Sequence, residues 1–175
     1  MKNIVLTGFM AAGKTQISKA LAKLTGLQCL DTDELIVQRE GQSVNDIFRQ
    51  IGEEGFREIE SEIIDAAASN SGVIISTGGG SVLRERNRKT LRQTGIIFNL
   101  EPDSETIRKR LEQARATRPL LKHDNIDEVL ARFEGRKPFY DDCDVKIHVS
   151  NEKEPADFAK EIWDIYRKMT ADTNF

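Results

Sequence analysis

Two glycines, a lysine and a hydroxyl recur at a spacing suited to phosphate chemistry in Gly8-Phe9-Met10-Ala11-Ala12-Gly13-Lys14-Thr15. This is the pattern GxxxxGK[ST]. The apolar run Ile4-Val5-Leu6 precedes it, and a helical pattern from Gln16 to Ala22 follows. Strand, loop, helix is the context in which such a loop wraps its N–H groups around an anion and aims a helix N-terminus at it. A plain glycine-rich turn would need none of the rest. Lys14 can reach outer phosphates as a point charge, and the Thr15 hydroxyl can ligate Mg²⁺. The expected ligand is a nucleoside triphosphate with Mg²⁺. Ala11 and Ala12 stand where many small kinases have Gly and Ser, which leaves the loop backbone less free.

Further along, Asp31-Thr32-Asp33 ends a short apolar segment and opens a helical one. Helix capping explains Asp31 or Thr32 alone, but not two aspartates beside a phosphate site. Open α/β sheets bind ligands outside the carboxyl ends of their strands. Alternation along an extended segment predicts that Asp31 and Asp33 point the same way. Arg57 and Glu60 are three apart on a helix whose apolar stripe is Phe56, Ile59, Ile63 and Ile64, so they can touch; the spacing suits a solvated surface pair equally well. Gly78-Gly79-Gly80 closes another strand, where the backbone is expected to pass close to a ligand rather than form a mere connector. The stretch from Glu112 to Asn125 loses helical periodicity and is cationic, as a mobile flap or a solvated loop would be. Arg132, Arg136 and Tyr140 follow at four-residue steps.

The elements that must position these groups alternate. Strands are expected at 4–6, 27–30, 73–76, 95–100 and 145–149. Helices are expected after the phosphate loop, from Glu34, from Ser43 to Ile64 with a break near Gly52 to Gly55, from Pro102 to Leu111, after the flap with Val129, Leu130 and Phe133 inward, and from Pro155 to Met169. This predicts an α/β fold, a parallel sheet between two helical layers, in one domain spanning residues 1–175. The 175 residues carry 26 Lys and Arg against 29 Asp and Glu, net −3, so no basic field attracts nucleic acid. Cys29 and Cys143 make no disulfide framework. No signal-peptide or membrane-spanning pattern is seen, and a cytoplasmic protein is expected.

The motifs occur together, in this order, in one family. GFMAAGKT, DTD at 31–33, FREIE at 56–60, STGGG at 76–80, RPLL at 118–121 and RKPFY at 136–140 resemble shikimate kinases over about Met1 to Lys168. The resemblance implies a nucleoside monophosphate kinase-like fold with strand order 2-3-1-4-5. It implies transfer of the ATP γ-phosphoryl to the 3-hydroxyl of shikimate, with Mg²⁺, by a monomer without nucleic-acid or membrane partners. It assigns ATP contacts to Ala11, Ala12, Gly13, Lys14, Thr15, Gln16, Arg110, Arg118 and Lys153, and metal contacts to Thr15 and Asp31. It gives shikimate to Asp33, Arg57, Glu60, Gly78, Gly79, Gly80 and Arg136. Lys14, Asp33 and Arg118 are its catalytic set. A substrate-binding helical region is implied at about 32–61 and a lid at about 112–125. Two rivals are another small-molecule kinase of this architecture, such as a gluconate kinase, and a nucleotide-binding switch that transfers nothing. The glycine run with Asp33, Arg57 and Arg136 argues against the first. Lys14, Thr15, Asp33 and Arg118 together argue against the second.

Overall fold

The computed structural model describes residues 1–117 and 125–172. Arg118 and residues 119–124 of the expected lid lie outside the described residues. Five strands, β1 (Asn3–Thr7), β2 (Cys29–Asp31), β3 (Ile74–Ser76), β4 (Gly95–Pro102) and β5 (Val145–Val149), form one sheet in the order β2-β3-β1-β4-β5. Every pairing is parallel. The order is the one implied by the resemblance.

The strands β1, β3 and β4 are apolar on both faces because helices cover both. Ile4, Leu6, Ile74, Phe98 and Leu100 meet Ile17 and Leu21 of α1 (Lys14–Thr25) and Phe158, Ile162 and Tyr166 of α7 (Pro155–Ala171). The alternate residues Val5, Ile75 and Ile97 meet Ile64 and Ala67 of α3 (Val44–Ala68) and Leu91 of α4 (Glu85–Thr94). The β1 register puts Val5 opposite Ile75 on one side and Ile97 on the other, so the central strand is buried throughout. α2 (Thr32–Glu40) packs Ile36 against Ile47, Phe56 and Ile63 of α3. A 3-10 turn, Ser81–Leu83, places Val82 with Phe9, and with Ile107 and Leu111 of α5 (Ser104–Thr117) and Phe133 and Tyr140 of α6 (Ile126–Tyr140).

Several boundaries differ from those read in the sequence. α3 breaks at Gly52 (φ 73°, ψ −178°) and runs on through Gly55. β4 extends to Pro102, and α5 continues to Thr117, six residues past the point where the apolar pattern ends. α4 is not announced by periodicity, because in ERNRKTLRQT only Asn87 and Leu91 are buried. Among the described residues no helix is long and apolar enough to cross a membrane.

Candidate active site

The carboxyl ends of β1, β2 and β3 converge on a cleft of about 310 Å³ lined by the phosphate loop, Asp31, Asp33, Ser76, Thr77 and Gly79. Thr15 and Gln16 line it with Lys14. The Lys14 ammonium turns back on its own loop, donating to the Gly8 carbonyl and to the Phe9 carbonyl. Burial pulls its pKa down to about 8, against the opposing pull of Asp33 and Asp31. To bind phosphate it has only to exchange carbonyl partners for anionic ones.

Ala11 takes a left-handed backbone at φ 67°, the one such non-glycine residue among those described. Its carbonyl accepts from Arg110 Nη1 at 2.7 Å, and Arg110 Nε donates to Asn151 Oδ1 at 2.9 Å. For an alanine this conformation costs about 1–2 kcal/mol, partly offset by its lower entropy in the unfolded chain. Ala11→Gly is therefore expected to raise unfolding free energy by about 0.5–1 kcal/mol, read by urea titration. Arg110 also lines a second cavity, of about 240 Å³, with Ala12, Gly13, Lys153, Pro155 and Phe158. Arg110 and Lys153, both given ATP contacts by the resemblance, thus line one pocket beside the phosphate loop.

Asp31 and Asp33 reach the cleft by a different route from simple alternation. Asp31 ends β2 and caps α2, its Oδ1 accepting from the Asp33 and Glu34 N–H groups at 3.0 and 3.1 Å. Asp33 already lies in the first helical turn, so it is helix geometry, not a strand's two-residue repeat, that aims it. The capping reading of Asp31 holds, yet its other oxygen accepts no bond among the described residues. Asp31 and Thr15 both line the cleft and bring hard oxygen donors to it. No three His, Cys, Asp or Glu side chains among the described residues form a cage. Such a sparse donor set fits Mg²⁺, which keeps water and phosphate ligands, rather than an ion held by protein alone.

The glycine run joins this cleft to a buried guanidinium. A Cβ on Gly78 would fall 2.7 Å from Asp33 Oδ1 and 3.0 Å from Glu60 Oε2, and one on Gly80 would fall 2.2 Å from Arg57 Nη2. A side chain at either position would have to push these charged groups out of place. Gly79 lies between, and its own Cβ would meet Met10 N of the phosphate loop at 3.5 Å. The Gly78 N–H donates to Thr32 Oγ1 at 3.0 Å, tying the run to α2. Burial, and then the neighbouring Asp31 and Glu60 carboxylates, push the Asp33 pKa up to about 6; Lys14 and Arg57 restrain it.

Arg57 and Glu60 are not a solvated pair. Arg57 is 7 % and Glu60 1 % exposed, and Nη1 donates to Glu60 Oε1 at 2.7 Å. Arg57 stacks on Phe56 at 5.3 Å, while its Nε is buried without a partner among the described residues. An unpaired donor on a buried guanidinium is expensive unless something docks there. Arg136, on α6, lies 5.9 Å from the Phe9 ring centroid. Tyr140, one turn on, donates to the Gly79 carbonyl. Burial raises the Tyr140 pKa, and Arg136 and then Arg57 act to lower it. Tyr140 is the site residue that motif reading leaves without a role; its place one helical turn after Arg136 is the signal. Arg132 is exposed on the same helix.

A phosphate loop at the head of a 2-3-1-4-5 parallel sheet, facing a carboxylate and a buried arginine across a glycine run, defines a P-loop phosphotransferase for a small anionic acceptor. The shikimate kinase family model matches residues 10–167. The shikimate kinase of Caldicellulosiruptor bescii is 43 % identical over 149 residues, 85 % of this chain and 86 % of the relative. That of Geobacter sulfurreducens is 45 % identical over 147 residues, 83 % and 81 % of the two chains. The structure of the Acinetobacter baumannii shikimate kinase in complex with shikimate superposes with a TM-score of 0.84 at 30 % identity, covering all of this chain and 96 % of that one. The chain belongs to the shikimate kinase family.

Proposed function

We propose that this cleft binds ATP and shikimate side by side and passes the γ-phosphoryl directly to the shikimate 3-hydroxyl. The activity is that of an ATP-dependent kinase of the shikimate pathway. One observation supports the shared cleft above others: the same three glycines abut Asp33 on the phosphate side and Arg57 on the other.

In this reading the adenine enters the cavity lined by Arg110, Lys153 and Pro155, and the phosphates lie along Ala11 to Gln16. Lys14 leaves the Gly8 and Phe9 carbonyls for the outer phosphates. Thr15 and Asp31 would hold Mg²⁺, which supplies charge neutralisation on the phosphates when bound. Arg57 and Arg136 grip the acceptor carboxylate, with Glu60 orienting Arg57 and the glycine run contributing backbone. Asp33 accepts a hydrogen bond from the attacking hydroxyl and takes its proton; a carboxylate with a pKa of about 6 is ionised at neutral pH yet basic enough for that. Phosphoryl transfer asks for positioning and charge more than covalent help, and these residues provide both. Arg118, outside the described residues, is assigned by motif to the phosphates. The protein acts as a monomer on small-molecule substrates.

The test is ADP release across shikimate, gluconate and nucleoside monophosphates as acceptors. A kcat/KM favouring shikimate over the others by several orders of magnitude is expected; equal or acceptor-independent release would refute the assignment. Within that assay Arg57→Lys should raise the shikimate KM nearly as much as Arg57→Ala, about tenfold to a hundredfold. A compact ammonium cannot keep Glu60 and a carboxylate at once, as the planar fork can.

A further inference from the structure

Arg88 touches neither proposed ligand, yet it joins the two arms of the acceptor pocket. It projects from α4, and its side chain is 15 % exposed. Its Nη1 donates to the Val82 carbonyl at 2.6 Å, in the 3-10 turn that continues the glycine run. Its Nε donates to Asp142 Oδ2 at 2.7 Å, just past the end of α6. Its guanidinium lies 5.5 Å from the centre of the Phe139 ring, in the last turn of α6. Phe139 and Asp142 bracket Tyr140, whose hydroxyl grips Gly79, and Arg136 is one helical turn before Tyr140. Arg92 Nη1 holds the second oxygen of Asp142 at 2.7 Å.

Arg88 differs from the other cations of α4 in what it bonds. Arg86 and Lys89 are exposed and pair with the carboxylates Asp65 and Glu85, whereas Arg88 bonds backbone belonging to the site loop. In addition, α6 carries Pro138 in its last turns. Proline lacks the N–H that would bond the Glu134 carbonyl, so this end of the helix is short of an internal bond. Its position then depends on ties from outside, and a planar fork can serve three partners at fixed angles.

We propose that Arg88 is a positioning residue for the acceptor: it fixes the end of α6 against the turn after the glycine run, so that Arg136 meets the same carboxylate as Arg57. The inference rests on the reading of Arg57 and Arg136 as a carboxylate clamp. Its test separates the two by comparing kcat/KM for shikimate and for its carboxamide. The wild type is expected to favour the carboxylate about a hundredfold. Arg88→Met should cut that preference at least about tenfold, through the acceptor KM, with the ATP KM within about twofold of wild type. Arg88→Lys, able to hold Asp142 or the Val82 carbonyl but not both, should recover part of it. Asp142→Asn should show a smaller loss of the same kind, and it decides the matter if Arg88→Met does not fold. Wild-type preference for the carboxylate in Arg88→Met, or in Asp142→Asn where that variant decides, whatever the melting temperature, would make Arg88 merely structural and overturn the proposal while sparing the clamp. A wild type indifferent to the carboxylate would overturn the clamp, and this proposal with it.

Discussion

Lys14→Met is expected to lower kcat by about 10²–10³. The transferred phosphoryl carries its charge on oxygens that an ammonium at this position can neutralise, and Met keeps the length of the side chain without the charge. The loss should fall on kcat more than on ATP affinity, because charge shifts most in the transition state. The fold should survive. Burial already disfavours the Lys14 charge, to a pKa of about 8, so removing it relieves a cost even as the Gly8 and Phe9 carbonyls lose a donor. Single-turnover rates and a urea titration together check this. A near-normal kcat would remove Lys14 from the mechanism.

Asp33→Asn is expected to lower kcat by about 10²–10⁴, the range for losing a positioned general base, and at the same time to stabilise the protein free of metal and nucleotide. The sign follows from the direction of the pKa. Asp33 goes from 3.8 up to about 6 on folding, so the folded state holds its proton more tightly than the unfolded state. Its favourable contribution is complete below about pH 4 and is lost as pH rises through about 6. At pH 7 the ionised carboxylate therefore costs stability, at most about 3 kcal/mol. Asparagine avoids that cost, so the variant should gain stability at pH 7 and lose the pH dependence between 4 and 6. Wild-type kcat/KM, which reports the free enzyme, should likewise fall as pH drops through about 6. A variant with lower stability and intact turnover would remove Asp33 as both strained group and base.

These effects trace back unequally to the sequence. The phosphate loop is legible because its chemistry fixes both residue types and spacing, and the parallel sheet because β1, β3 and β4 are apolar on both faces. The Arg57–Glu60 spacing shows that the two can touch, but only packing shows that they are buried and that Arg57 Nε is left open. Asp31 and Asp33 are placed in the right cleft by the wrong geometry, since the helix begins one residue after β2 and a local cap overrides the strand's alternation. α4 escapes notice because it buries little apolar surface and is held by ion pairs and by Asn87, which donates to the Ser81 carbonyl. The Tyr140–Gly79 bond joins residues 61 positions apart, beyond the reach of any local pattern.

Direct transfer in one cleft is the centre of this account, and ³¹P NMR of ATP, Mg²⁺ and shikimate with the wild-type chain tests it. The predicted result is a phosphomonoester signal, coupled to the ring proton at carbon 3, that grows in step with ADP while inorganic phosphate stays at background. ADP appearing with inorganic phosphate and no phosphomonoester, or with the phosphoryl on another hydroxyl, would contradict it.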